Sequence, residues 1–152
     1  MSKYDKLIAD FPDIYLQHGY NPDYTVGFCI GEGWYDLLKD LSQKIQDHVN
    51  KNPDASISIT DIKEKFGGLR YYYNGGDEVI DDLVNDAENK SYEICELCGA
   101  PGELMTSGYW LSTRCKEHTK EGDRPMKKVQ EEIEEKLKEV NIEEDDQKPE
   151  TD

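Results

Sequence analysis

The sequence predicts an α+β chain: a helix–β-hairpin–helix body, a treble-clef or zinc-ribbon-like finger beside it, and an acidic C-terminal helix. Three observations carry this reading. Apolar residues recur at helical spacing over 34–49, 79–92 and 126–140. Two period-two segments flank Gly67-Gly68, the pattern of a β-hairpin. A C-x2-C pair and a C-x2-H pair then bracket 16 residues, supplying four soft ligands. The boundaries expected are 1–94 for the body, 95–120 for the finger, 121–141 for the helix and 142–152 for a disordered acidic tail.

The first 30 residues are ambiguous, with a short helix near Tyr4–Asp10 followed by a loop at Gln17–Pro22. From Gly33 onward, Trp34, Leu37, Leu38, Leu41, Ile45 and Val49 share one helical face, which Asn52-Pro53-Asp54 ends. Ile57 and Ile59 alternate with Ser58 and Thr60 in a first strand, and Leu69–Tyr73 forms a second, ended by Asn74-Gly75-Gly76. Val79, Ile80, Leu83, Val84, Ala87 and Tyr92 mark the next helix, whose first turn is acidic. Met126, Val129, Ile133, Leu137 and Val140 fall at spacings of 3, 4, 4 and 3 behind Pro125. That stripe can pack on its own domain, the plainer reading, or serve as a self-association seam through residues 126–140. After Asn141 there is almost nothing to bury, hence the expected tail.

Charge narrows the function. Hydrophobic residues are 36% and charged residues 34%, with 34 acids against 18 Lys and Arg and a net charge of −16. Residues 121–152 alone carry −7. Such a chain is repelled by nucleic acid phosphates and anionic lipid, so neither direct nucleic-acid binding nor membrane association is expected. No apolar run reaches the roughly 18 residues of a membrane span, and MSKYDKLIAD is not a signal peptide, so a cytoplasmic location is expected.

The clearest chemistry lies in Cys95, Cys98, Cys115 and His118. Three thiolates and an imidazole suit one tetrahedral Zn2+ per chain, and Gly99 lets the backbone fold back after the second sulfur. Ser107-Gly108 centres a hairpin between the two ligand pairs, and the second pair opens onto the C-terminal helix. Four protein ligands leave no position for water, so the ion should be structural. Disulfides are disfavoured without a sign of export and would leave His118 unexplained. Cys29, in the apolar run Val26–Ile30, reads as a buried thiol.

A second candidate is the hairpin tip. Lys63-Glu64-Lys65-Phe66-Gly67-Gly68-Leu69-Arg70 carries +2 in an otherwise acidic chain. Lys63, Lys65 and Arg70 could neutralise a small anionic, nucleotide-like ligand, with Tyr72 stacking on its flat part and Trp34 as a second wall. Strand alternation puts Arg70 and Tyr72 on one face, with Leu69, Tyr71 and Tyr73 on the other. The plainer alternative is a solvated hairpin packed on neighbouring helices. Catalytic signals are poor: Asp77, Glu78, Asp81 and Asp82 have no nearby partner histidine, His18 and His48 stand alone, and no catalytic triad or phosphate loop is present.

Taken together, GWYDLL, KEKFGGLRYYY and CELCG…CKEH resemble a group of small tailed-phage and prophage proteins over residues 30–120. The resemblance implies a phage-type setting and a zinc knuckle. By association with phage accessory proteins it suggests a non-catalytic binder that disables a host protein or sequesters a ligand. The alternatives are a metal-dependent hydrolase or nuclease on a treble-clef scaffold and an acidic DNA mimic. The inter-ligand hairpin lacks the histidine such nucleases place there, which favours the binder.

Overall fold

The structure, a computed structural model, describes residues 2–16 and 26–146. It opens with α1 (Lys3–Asp10) and α2 (Pro12–Tyr15). Ser2 starts α1 through a reciprocal capping box: its Oγ accepts from the Asp5 N–H, and the Asp5 carboxylate accepts from the Ser2 N–H. The expected helix near Tyr4–Asp10 is present. The loop expected at Gln17–Pro22 lies outside the described residues.

The expected hairpin is β2 (Ile57–Lys65) and β3 (Gly68–Gly75), paired antiparallel. A third strand, β1 (Gly27–Cys29), lies parallel to β2 and completes a sheet of order β1-β2-β3. Three residues are too few to show alternation in a sequence, so the pattern carries no sign of this strand. Phe28 turns inward and stacks on Tyr4 at 4.6 Å between ring centroids. Strand alternation therefore sends Gly27 and Cys29 outward. Cys29 is exposed, correcting the expectation of a buried thiol.

Two helices cover the inner face of this sheet. A 3-10 turn (Glu32–Trp34) leads into α3 (Tyr35–Lys51), and α4 (Glu78–Ser91) follows the hairpin. Trp34, Leu38, Leu41 and Ile45 meet Ile59, Ile62, Leu69 and Tyr71 of the sheet and Ile80, Val84 and Ala87 of α4 in one core. A bulge between Ile59 and Asp61 shifts the register. It lets both Ile59 and Ile62 point inward while Asp61 stays on the solvent side.

Polar groups inside this core are paired. The Ser42 hydroxyl donates to Leu38 O at 2.7 Å, so its oxygen can accept from Tyr15 at 2.7 Å. With its proton so used, Tyr15 accepts from the Tyr71 hydroxyl at 3.0 Å, which links α2, α3 and β3. Burial pushes the Tyr15 phenol up to about 12 and raises Tyr71 as well, so the relay stays neutral at physiological pH. The free edge of β3 is closed by α4: Leu69 N–H donates to Ser91 Oγ at 2.9 Å and Tyr71 N–H to Glu88 at 3.3 Å. His48 is not isolated. Its Nε2 lies 2.8 Å from Asp77 Oδ2, while Asp77 Oδ1 caps α4 by accepting from Ile80 N–H. The contact with His48 and that cap hold the Asp77 carboxyl below the usual range. It ties the C-terminal end of α3 to the start of α4, an arrangement that a separation of 29 positions hides in the sequence.

The second sheet, of order β5-β4-β6, comprises β4 (Glu103–Ser107), β5 (Trp110–Arg114) and the short β6 (Arg124–Pro125). From β6 the chain enters α5 (Met126–Asp146). This helix runs past the boundary expected at Asn141, so part of the expected tail is helical; residues 147–152 lie outside the described residues. Its stripe does not pack along its length on the domain. Met126 and Val129 are half-buried, whereas Ile133, Leu137 and Val140 are exposed. Among the described residues no helix is long and apolar enough to cross a membrane.

Body and finger meet along backbone. Gly33 N–H donates to Glu96 O at 2.7 Å, and Trp34 Nε1 donates to Ile94 O at 2.9 Å. A Cβ on Gly33 would stand 2.1 Å from Cys95 O and 2.5 Å from Glu96 O. Gly33→Ala should therefore cost about 3 kcal/mol or prevent folding, because rigid backbone must yield. Gly27→Ala, with nothing within 4 Å of its Cβ, should be near neutral. Chemical denaturation of the two variants checks this; equal midpoints would contradict it.

Candidate metal centre

The first ligand pair sits on a tight knuckle. Cys95 N–H donates to Ala100 O at 2.8 Å and Gly99 N–H to Cys95 O at 2.9 Å, a reversal that needs Gly99 at φ +82°. Ile94 and Pro101 form a bridge at its base, and Gly102 N–H reaches Glu93 O at 2.9 Å. The second pair sits on another turn: His118 and Thr119 N–H both donate to Cys115 O at 3.1 Å. The β4–β5 hairpin, turning through Gly108, joins the two.

These turns bring Cys95, Cys98, Cys115 and His118 together, with one donor atom from each lying within 4.8 Å of every other. Cys98 Sγ is 3.6 Å from Cys115 Sγ, and His118 Nδ1 is 3.6 Å from Cys95 Sγ and 3.2 Å from Cys115 Sγ. Metal–sulfur bonds of about 2.3 Å and metal–nitrogen bonds of about 2.0–2.1 Å in a tetrahedron require S···S near 3.8 Å and S···N near 3.5 Å. The donor set fits one tetrahedral ion. A disulfide needs about 2.05 Å between sulfurs; the cysteines are free.

Backbone around the two turns also favours the Cys95 thiolate. Burial alone raises the Cys95 thiol, but backbone N–H groups of Cys115, Cys98 and Leu97 aimed at its sulfur outweigh it and bring it down to about 6.

One expectation about the finger changes. His118 lies on a 3-10 turn (Lys116–His118), and α5 begins only at Met126. The second pair is therefore not helix-borne, and the finger follows the ribbon alternative: two knuckles on a three-stranded sheet, with no treble-clef helix.

The hairpin residues lie apart from this centre. Lys63 is 3.3 Å from Asp61 Oδ2 and sits 5.1 Å above the Tyr72 ring; Lys65 sits 5.6 Å from the Phe66 ring. Arg70 is on the same strand face as Tyr72, as expected. Its guanidinium, however, is spent on Tyr92 Oη at 3.2 Å and Leu69 O at 3.0 Å. Trp34 is 0% exposed, at the centre of the core. It cannot wall a ligand, and the reason is its indole N–H, satisfied by Ile94 O inside the molecule.

A further cluster went unread in the sequence. The tip of the β2–β3 hairpin docks on the finger, where Thr113 Oγ1 donates to Gly67 O at 2.7 Å. This leaves Phe66 64% and Trp110 70% exposed, with Tyr109 fully open. With Glu64, Lys65 and Leu111 they line a hollow of about 280 Å³. Phe66 holds φ +55°, a strained conformation for a bulky residue. Phe66 and Tyr109 stand beside turn glycines with no strand face to bury them, and Trp110 opens β5 next to Tyr109.

Comparison of the chain with family models, curated proteins and solved structures finds no match.

The purified chain should bind one tetrahedral ion. Reconstitution with Co2+ should give thiolate charge-transfer absorption and tetrahedral d–d bands that saturate at one equivalent, and Cys98→Ser should weaken binding by about tenfold or more. Removing the ion should strip hydrogen-exchange protection from Cys95, Gly99 and Gly102, since their turns have little core of their own. Octahedral spectra, or a Cys98→Ser chain binding as tightly as the parent, would refute the site.

Proposed function

We propose that this chain is a non-catalytic binding protein whose finger, closed by a structural Zn2+, holds a protein-docking surface at the tips of two hairpins. Zinc is favoured because a Cys3His tetrahedron matches its ligand preference and needs no redox chemistry. With all four positions filled from the chain, the ion has no site for water or substrate. The observation that carries the binding reading is the aromatic group Phe66, Tyr109 and Trp110 around one hollow, exposed where a soluble chain ordinarily buries such rings. Large aromatics with few rotamers are the usual anchors of protein interfaces, and the hollow suits one apolar side chain of a partner. The resemblance to phage proteins supports a host protein as that partner, in the host cytoplasm.

A small anionic ligand remains a second reading on one observation, the open face that carries Lys63 and Arg70 beside Tyr72. Its cations are already partnered, which weakens it.

Elemental analysis should find zinc. Immobilised protein should capture a defined protein from a bacterial lysate, and purified partner should bind Phe66→Ala or Trp110→Ala at least roughly tenfold more weakly. Both side chains are exposed, so the variants should keep their fold and zinc. Equal affinity of the variants would overturn the docking surface. Calorimetric binding of a nucleotide that Arg70→Ala abolishes would favour the second reading. Divalent-metal-dependent cleavage of nucleic acid would replace both with an enzyme.

A further inference from the structure

We propose that α5 pairs antiparallel with α5 of a second copy of this chain, burying the stripe Met126, Val129, Ile133, Leu137 and Val140. The proposal is independent of the docking surface at the hairpin tips. Its first ground is that the stripe lacks cover beyond its half-buried first two residues, Met126 and Val129. Ile133, Leu137 and Val140 are 48, 56 and 49% exposed. The helix has 21 residues and so extends about 31 Å, and only its first turns lie against β4 and β6. A helix unsupported over most of that length is marginal in water, because packing rather than propensity stabilises most protein helices.

The second ground is charge, which selects the occupant. Basic residues open the helix, Lys127 and Lys128, just behind Arg124, which pairs with Glu132 at 2.6 Å. Acidic ones gather at the C-terminal end, Glu139, Glu143, Glu144, Asp145 and Asp146. The first turn holds no acid and the last turn no base. This gradient opposes the helix dipole at both ends, so α5 alone is electrostatically mismatched. An antiparallel neighbour with the same sequence sets its acidic end beside the basic one, twice over, and aligns the two dipoles head to tail. A parallel copy would place like ends together. A foreign helix would need the same reversed gradient, which a second copy has by construction, and the two-fold arrangement is self-complementary.

The third ground is period. The stripe repeats after 11 residues, Met126 to Leu137 and Val129 to Val140. Eleven residues in three turns lie close to the natural period of the helix, so two such helices keep their seams together with little supercoiling.

Sedimentation equilibrium on the full metal-bound chain, from micromolar to millimolar, tests this. A concentration-dependent dimer is expected. Ile133→Asp with Leu137→Asp should give a monomer that keeps its metal and its circular dichroism below the contribution of α5. Two charge reversals report orientation. Lys127→Glu with Lys128→Glu, and separately Glu143→Lys with Glu144→Lys, should each weaken the dimer by roughly tenfold, and an equimolar mixture of the two should restore it. A monomer at every concentration, or a dimer indifferent to the aspartates, would overturn the proposal. Charge reversals that each dimerise as the parent does would overturn the antiparallel arrangement.

Discussion

The fit of Trp34 and Gly33 against the backbone just before and within the first ligand pair is the contact on which the rest depends. Trp34 is the largest fully buried side chain, and its one polar atom is satisfied only by the carbonyl of Ile94, next to Cys95. An indole buried with its N–H unpaired would cost on the order of 1–3 kcal/mol, so this bond makes the core and the start of the knuckle stabilise each other. Gly33 then hydrogen-bonds Glu96 at a distance no side chain would tolerate. The finger is thus mortised into the body, and the expected division at residue 94 does not separate two mechanically independent parts.

A second contact repeats this logic at the other end of the finger. Gly67 gives its carbonyl to the buried hydroxyl of Thr113, and a Cβ there would strike Leu104 at 2.4 Å. The close approach fixes the β2–β3 tip on β5, and the strained Phe66 is held beside it. Strain at a solvent-facing aromatic is tolerated only where surrounding structure enforces it. Here the two-residue turn between Lys65 and Gly68 enforces it, requiring positive φ at both Phe66 and Gly67, and the finger docked against that tip holds it in place.

Electrostatics follow the same division. The chain is acidic as a whole, with half of its cations on the hairpin, the finger and the start of α5, while the acids dominate the far end of that helix. Most hairpin cations are partnered, by Asp61, by aromatic rings or by Tyr92. Exposed large apolar groups on the described surface include Leu16, Tyr72, Val79 and Leu97, but such groups cluster in two places, three aromatics at the tips and three aliphatics along α5. Both are the places where association with other proteins is proposed.

Local signals were enough to read much of this from the chain. Helical spacing gave α3, α4 and α5, alternation around Gly67-Gly68 gave the hairpin and its inner face, and two ligand pairs gave the metal donors. Each depends on residues close in sequence, where geometry is nearly fixed by periodicity. Contacts between distant residues were not legible: parallel β1, His48 with Asp77, Trp34 with Ile94, and the grouping of Phe66 with Tyr109 and Trp110. The apolar run around Cys29 suggested burial, but the sheet has an outer face and alternation put the thiol on it. Composition likewise cannot tell a stripe that is covered from one left open, as along α5. The sequence determined which residues form each element and which atoms can hold an ion; only the tertiary structure decided which faces remain uncovered, because burial is set by what packs opposite, not by the residue itself.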